Sequence, residues 1–475
     1  MKKYFFLLFI LFFCKTLFAQ TVPKEGVEIT KAIPASADAA ALGKYGNVPV
    51  SPYTGVPNIS IPMYTIKSGD LSLPVSISYH SGGIKVEEAA SSVGLGWTLN
   101  AGGAITRTIR GFADEVPDGF LDPYHYIANT DARINHNTGP YDMTTAELAL
   151  NRIADGTYDS EADVYNFNFG SYSGKFVMDS YGNIFVMPLQ NIKFTFNILN
   201  GQTTYINQFI AQTPDGVKYY FGSDSDGNDA VEFTGSSSSC TGNTKKNYAT
   251  SWFLKKIVSP SHHEINFTYA YTSYDQTGIP SQTLYAWLSG DSGSSGGTNP
   301  SSEYCTSSNT FQTVRLQSIQ FENGSVQVYA NKNRLDLNPL NSLNGAKMID
   351  TISIVGGGLN KLYKFFYTNI TTKRLRLDSL IGQLEPTGTG NYKKEKYSFD
   401  YNPDPWKNTL EFSVQQDWWG YYNGQGNIVN GYATLVPYMY YTPNGTTQPI
   451  RLDGAERNPD GSGALIAGGT LIGIH

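Results

Sequence analysis

The chain is poor in charge, cysteine and histidine. Of its 475 residues only 16% are charged, with 3 Cys and 6 His. Low charge beside 13% aromatics excludes an intrinsically disordered chain, which needs high net charge and few aromatics. Lys and Arg number 34 against 40 Asp and Glu; without a basic run, this excludes a nucleic-acid binder that works through a basic face. The composition also argues against a helical coiled coil. His80, His125, His136, His262, His263 and His475 form no HExxH and no paired ligand spacing, so no zinc signature is present. Phe5 to Phe13 is an unbroken apolar run, too short to span roughly 30 Å of hydrocarbon.

That run follows Lys2 and Lys3 and leads through Leu17-Phe18-Ala19 to Gln20. A positive start, an apolar stretch and a small residue at the cut are the layout of a secretory signal peptide, cleaved after Ala19. Its removal takes three lysines and no acid, lowering the formal net charge from −6 to −9. The expected location is therefore secreted or cell-surface, with no membrane span once the signal is gone. The mature chain keeps Cys240 and Cys305, each in a Ser/Thr/Gly-rich stretch. An oxidising compartment favours their pairing; two free thiols far apart are the alternative.

What the chain has in abundance is 48 Gly, 33 Tyr and 25 Phe, arranged with a period of two. Asn58 to Ile66 and Leu71 to Tyr79 alternate polar and apolar residues around the turn Lys67 to Asp70, which predicts a hairpin. Pro62 and Pro74 suit free edges or strand starts, because proline has no N–H to give. Further hairpins are predicted across Asp179 to Asn183, Thr213 to Gly216, Asn323-Gly324 and Gly356 to Gly358. The one helix signal is a capping box, Thr144 with Glu147, followed by Ala146 to Ile153 and stopped at Asp155-Gly156. The expected fold is all-β: many antiparallel hairpins in large sandwich-like or shell-like sheets, with one short helix near 145–153. The expected segments are the signal 1–19, a flexible leader 20–45, an N-terminal β domain 46–155, a β domain 156–310 with Ser/Gly-rich insertions, and a hairpin region 311–475. The closing Gly469 to His475 reads as the first strand of another hairpin, so the chain is expected to be the front of something longer.

Candidate chemistry is sparse. Gly290-Asp291-Ser292-Gly293 matches a protease nucleophile signature but lies in a Gly/Ser stretch without a partner histidine motif. Asp224, Asp226, Asn228 and Asp229 cluster oxygen ligands that Ca²⁺ could use, yet Gly227 and Gly235 break EF-hand spacing. The alternative is a solvated turn, and no other cofactor is expected. His262-His263-Glu264 is predicted to lie in a turn. Asp159 to Asp163 is a dense acidic group, and a glycosidase pair needs a set carboxylate separation that spacing in sequence cannot fix. Val93-Gly94-Leu95-Gly96-Trp97 places closely spaced glycines beside one large aromatic, which suggests tight backbone approach. Asp417-Trp418-Trp419-Gly420-Tyr421-Tyr422-Asn423-Gly424 is either a core plug or an exposed sugar-stacking platform.

Several of these stretches together resemble a known family. Tyr53-Thr54-Gly55, Ile59 to Pro62, Leu73 to His80, Val93 to Leu99 and Gly103 to Arg107 look like the N-terminal region of secreted YD-repeat (Rhs) proteins. They also resemble the matching region of toxin-complex B subunits. Tyr158 to Asp163 with Phe167, Asp215-Gly216 with Tyr220-Phe221, and Asp417 to Gly424 look like the variant that carries a signal peptide. The resemblance implies hairpin-built shells that enclose or present a C-terminal effector. Within it, Gly94, Gly96, Trp97, Arg107, Asp417, Trp419, Gly420 and Asn423 stand out as structural motif residues. The implied role is a non-enzymatic shell segment linked to toxin delivery or intercellular competition. Its implied partner is a downstream repeat or effector region, or a separate chain carrying one, with surface glycans as a further candidate. A carbohydrate-binding adhesin and a carbohydrate-active hydrolase are the competing readings.

Overall fold

The computed structural model describes residues 58–80, 82–83, 85–121, 151–199, 204–223, 230–238, 246–277, 281–285, 301–305, 307–339, 344–369, 374–385, 393–401, 417, 419–422 and four short stretches between 428 and 450, with Ser36 and Asp38 from the leader. All belong to one unit, Ile33–His475. In chain order the strands are β1 Asn58–Ser68, β2 Leu71–His80, β3 Trp97–Asn100, β4 Gly103–Thr108, β5 Val164–Phe169, β6 Tyr172–Met178, β7 Ile184–Met187 and β8 Lys193–Leu199. There follow β9 Tyr205–Gln212, β10 Lys218–Gly222, β11 Val231–Ser238, β12 Lys246–Val258, β13 Glu264–Thr277, β14 Ser281–Tyr285, β15 Ser301–Cys305 and β16 Ser307–Phe321. The last of the larger set are β17 Gly324–Tyr329, β18 Lys332–Asn333, β19 Asn338–Pro339, β20 Lys347–Met348, β21 Thr351–Gly356, β22 Leu359–Thr368, β23 Arg376–Glu385 and β24 Lys393–Ser398. The architecture is all-β and antiparallel, as the alternation predicts. The end of the short helix is seen at residues 151–154, where Gly156 turns left-handed at φ 73° and its amide returns to the Ile153 carbonyl.

Four long strands close a ring. β11 pairs with β12 on one side and with β16 on the other, while β13 pairs with both β12 and β16. Three arms leave this ring. β12 carries β4-β5-β6-β7 and also β10-β9-β8. β16 carries the ladder β17-β21-β22-β23-β24. A separate sheet, β1-β2-β3, shares one apolar core with the ladder. Ile61, Met63, Ile66, Leu73, Val75 and Ile77 meet residues such as Val326, Val328, Ile352, Ile354 and Phe365. The Tyr363 hydroxyl crosses between the sheets to the Met63 carbonyl at 2.9 Å.

The two arms on β12 pack through rings. Tyr165 stacks on Phe176 at 4.8 Å and 3°, Phe176 and Phe167 each meet Phe194, and Trp252 stands edge-on to Phe209 at 4.9 Å and 89°. Each fully buried ring contributes about 2–3 kcal/mol by area, so this aromatic layer is a main source of cohesion. The alternate residues Asn166, Asn168 and Lys175 face outward, half-buried or exposed, which fixes the register: a slip by one would bury them.

Proline and turn chemistry explain the details. Pro74 lies in the middle strand of its sheet, but β3 pairs only with Ser76 to Tyr79, so the Pro74 edge is free. Pro62 sits on the edge strand β1, next to a bulge before Tyr64. Gly357 and Gly358 both have positive φ, 61° and 74°, the pattern of a type I′ hairpin. At Asn323-Gly324 the turn is shifted by one residue. Phe321 pairs with Gly324, leaving Glu322-Asn323 as the loop, and a Cβ on Gly324 would stand 2.1 Å from the Val355 carbonyl. Glycine is needed there for close strand approach rather than for the turn.

Candidate functional site

Two clusters gather the residues that stood out in the sequence. The first surrounds Trp97, at the start of β3. Its indole N–H donates to the Tyr401 hydroxyl at 2.8 Å, and that hydroxyl donates to the Leu377 carbonyl at 2.6 Å. Phe399 and Tyr79 flank the indole at 4.5 and 5.2 Å. The preceding loop is pressed against β23 and its approach: the Leu95 amide donates to the Leu375 carbonyl at 2.8 Å. Gly94 has φ +109° and a Cβ there would meet the Leu377 nitrogen at 3.0 Å; Gly96 has φ +74° and a Cβ would meet the Tyr79 ring at 2.7 Å. An L side chain is strained in both conformations.

The same region receives the second aromatic motif. Asp417 Oδ1 accepts the Trp419 and Tyr421 amides at 2.9 and 2.8 Å, forming a tight Asx-type turn. The Gly420 carbonyl then accepts the Val86 amide at 2.9 Å, and Lys85 bridges to Tyr421. Trp419 is 73% exposed, while Tyr421 and Tyr422 are half-buried. The motif is thus neither wholly plug nor wholly platform. Trp418 and Asn423 lie outside the described residues.

The second cluster centres on Arg107 of β4, which is 1% exposed. One guanidinium nitrogen meets Glu115 Oε2 at 2.5 Å and Asp163 Oδ2 at 3.5 Å; another donates to the Ala249 carbonyl. The guanidinium lies 5.2 Å from the Trp252 ring centre and 5.9 Å from that of Tyr165. Burial pulls it down, but Glu115, Tyr165 and Asp163 outweigh this and hold it charged.

The acidic stretch 159–163 closes over this arginine. Asp163 accepts the Arg110 and Asp114 amides at 2.8 and 3.1 Å, and Asp114 accepts the Asp163 amide at 2.9 Å. Asp159 accepts the Phe112 and Glu161 amides at 2.9 and 3.0 Å. The carboxylates therefore staple the loop after β4 to the segment before β5. Burial raises Asp159 to about 6 and Asp163 to about 7, despite Arg107. Burial and the neighbouring Asp163 raise Asp114 well above the ordinary carboxyl range. One cation faces three carboxyl groups here, and this opposes the charge on Asp114.

The remaining candidates fall elsewhere. Cys305 ends β15 and is disulfide-bonded; Cys240 lies outside the described residues, as do Asp224, Asp226, Asn228, Asp229 and the Gly290 to Gly293 stretch. His262 and His263 occupy the β12–β13 turn, where the Ser259 amide donates to the His263 carbonyl at 3.0 Å, and His263 faces Glu322 at 3.3 Å. Sequence reasoning missed Asp114, Glu115 and Tyr401. An isolated Arg in the otherwise uncharged strand Gly103 to Thr108 was the available signal, because a buried cation demands acids.

No family model matches the chain, and no curated protein matches it. Among solved structures it is similar to a TcdB2-TccC3 crystal structure, with 13% identity and a TM-score of 0.37, covering 91% of this chain and 19% of that one. It is similar to the Tc holotoxin pore of Photorhabdus luminescens, with 11% identity and a TM-score of 0.33, covering 72% and 15%. It is also similar to the N-terminal domain of the effector SpvB from Salmonella typhimurium strain LT2, with 10% identity and a TM-score of 0.28, covering 72% and 99%. The chain thus spans less than a fifth of the length of the two larger proteins.

Proposed function

We propose that the chain is a non-enzymatic wall segment of a secreted or cell-surface YD-repeat protein, serving toxin delivery or intercellular competition. The observation that carries this reading is the ladder. From β16 to β24 each step adds one antiparallel strand beside the last. One face is filled with Val326, Ile352, Ile354, Phe365 and Leu380; the other presents Ser353, Lys364 and Lys396, half-buried or exposed. Such a sheet packs one face against the β1-β2-β3 sheet and turns the other to water. β24 pairs only with β23 among the described residues and carries the exposed Lys394 and Lys396, the charges that keep an edge from random pairing. The partner in this reading is a following repeat or effector region, or a chain that supplies it. The non-enzymatic part is supported by the use of the buried carboxylates: those of Asp159 and Asp163 hold backbone amides.

Electron cryomicroscopy of the exported protein from its producing cell tests the reading. The expected density continues past β24 as further paired strands; a native particle whose β24 edge faces solvent overturns it. Incubation with a polysaccharide panel tests the second part. Turnover abolished by one carboxylate substitution that leaves melting unchanged would overturn the non-enzymatic reading. The exposed Trp419 favours a second reading, glycan binding, which predicts retention on immobilised polysaccharide that is lost in Trp419→Ala.

A further inference from the structure

Ser36 and Asp38 are the described residues of the leader, and each sits in a seat built by distant parts of the chain. Ser36 is 1% exposed. Its amide donates to Glu232 Oε1 at 2.7 Å. Glu232, on β11, is fully buried, and the same oxygen accepts the Ser251 hydroxyl at 2.9 Å and the Thr250 hydroxyl at 3.2 Å. Burial raises this carboxyl, while hydrogen bonds from Ser36 and Ser251 oppose the shift. Thr313, on β16, is a further hydroxyl that acts on this carboxyl in the same sense. The Ser36 amide is thus a third donor on an oxygen that Thr250 and Ser251 already supply.

Asp38 fills the second seat. Its Oδ1 accepts the Ser92 amide at 2.7 Å and the Ser92 hydroxyl at 3.1 Å. Burial raises this carboxyl, and the Ser92 hydrogen bonds and the charge of Arg334 oppose the shift. That guanidinium is itself fixed, forked onto Asp336 at 3.0 and 2.7 Å and donating to the Ala90 carbonyl at 2.8 Å. Ser92 is tied to the ladder through the Ile349 amide, at 3.0 Å. Ser36 thus bonds to the β11–β12 pair and Asp38 to the Ser91-Ser92 turn.

We propose that these two seats form a peptide-binding site, occupied in cis by the leader. The site takes a small residue with a free backbone N–H, followed two positions later by a carboxylate. The first seat excludes a large side chain, because Ser36 is already enclosed, and excludes proline, which has no N–H to offer Glu232. The second seat requires an acid, because it presents an amide, a hydroxyl and a nearby guanidinium. The leader's Ser36-Ala37-Asp38 meets both demands.

The test compares protein expressed from residue 20 with protein expressed from residue 46, using a fluorescent peptide of residues 31–45. Saturable binding is expected to the shortened protein and none to the longer one, whose site is filled. N-methylation at position 36, or Asp38→Ala in the peptide, is expected to weaken binding roughly tenfold or more, the value of one hydrogen bond to a charged group. Equal binding to both proteins, or an N-methylated peptide that binds as tightly as the parent, overturns the proposal. Should the shortened protein not fold, Ser36→Pro in the longer one decides. Expected are new protease cleavage within residues 33–40 and unchanged hydrogen exchange across β16 to β23. Unchanged cleavage, or unfolding of the whole chain, overturns it.

Discussion

The Arg107 cluster and the Trp97 cluster both fasten a loop to a sheet, with opposite chemistry. Around Arg107 a buried cation meets three acids, and most of the bonds are charge-assisted. Around Trp97 the contacts are rings, carbonyls and neutral hydroxyls, with two glycines admitting close backbone approach. The difference is one of failure mode. Removing one member of a buried ionic group strands its partners in low dielectric, whereas removing one member of a neutral cluster forfeits a single contact or hydrogen bond. The first cluster is therefore expected to respond to pH and the second not.

The largest effect is expected for Arg107→Met, which leaves Glu115 and Asp163 buried without their cation. A loss of about 3–5 kcal/mol is expected in chemical denaturation at pH 7; a loss under about 1 kcal/mol would erase the contrast between the clusters. Next comes Gly94→Ala. The backbone conformation alone costs about 1–3 kcal/mol, and the approach to the Leu377 nitrogen adds to it. Tyr401→Phe follows. It removes the acceptor for the Trp97 N–H and the donor to the Leu377 carbonyl, for about 1–2 kcal/mol. That loss should be the same at pH 5 and pH 8, and a pH-dependent loss would show that the clusters are coupled.

Much of the fold was legible in the sequence because a two-sided sheet writes itself as alternation. The hairpins of β1–β2, β9–β10 and β21–β22 follow from period and turn residues alone. The Asn323-Gly324 turn came out one residue off, because Gly324 answers to the carbonyl of Val355, a constraint 31 positions away that no local pattern carries. The candidate sites were legible in part for the same reason. Gly94, Gly96 and Trp97 announce close packing, yet nothing nearby says that Tyr401, 304 residues on, receives the indole N–H. Asp159 and Asp163 read only as part of a dense acidic group, since spacing along the chain does not reveal that their acceptors face the amides of Arg110, Phe112 and Asp114. The closed ring was not legible at all. It depends on β11 finding both β12 and β16, and those pairings leave no mark in the strands themselves.

The smallest effect at neutral pH is expected for Asp114→Asn, and it is the sharpest probe of the ionic cluster. Burial and Asp163 both oppose the charge of Asp114 and so favour its protonated form. Asn reproduces the neutral acid: its oxygen can accept the Asp163 amide, and its NH₂ stands where Oδ2 lies 3.3 Å from the Tyr165 hydroxyl. The expected change at pH 7 is therefore under about 1 kcal/mol, within the range of one neutral hydrogen bond. The pH profile should change more. A carboxyl whose folded pKa exceeds its unfolded value near 3.8 binds its proton more tightly when folded. Its contribution to stability is complete below that unfolded value and declines as pH rises toward the folded one. Asp159, at about 6, and Asp163, at about 7, act in the same direction, so melting temperature should fall between pH 4 and pH 7. Asn at 114 does not titrate, so its fall over that interval should be shallower than in the parent. Parallel melting curves from pH 4 to pH 8 decide the matter: an unchanged slope means that Asp114 ionises in the folded protein as readily as in the unfolded one, and Arg107 is then balanced by more charge than its surroundings imply.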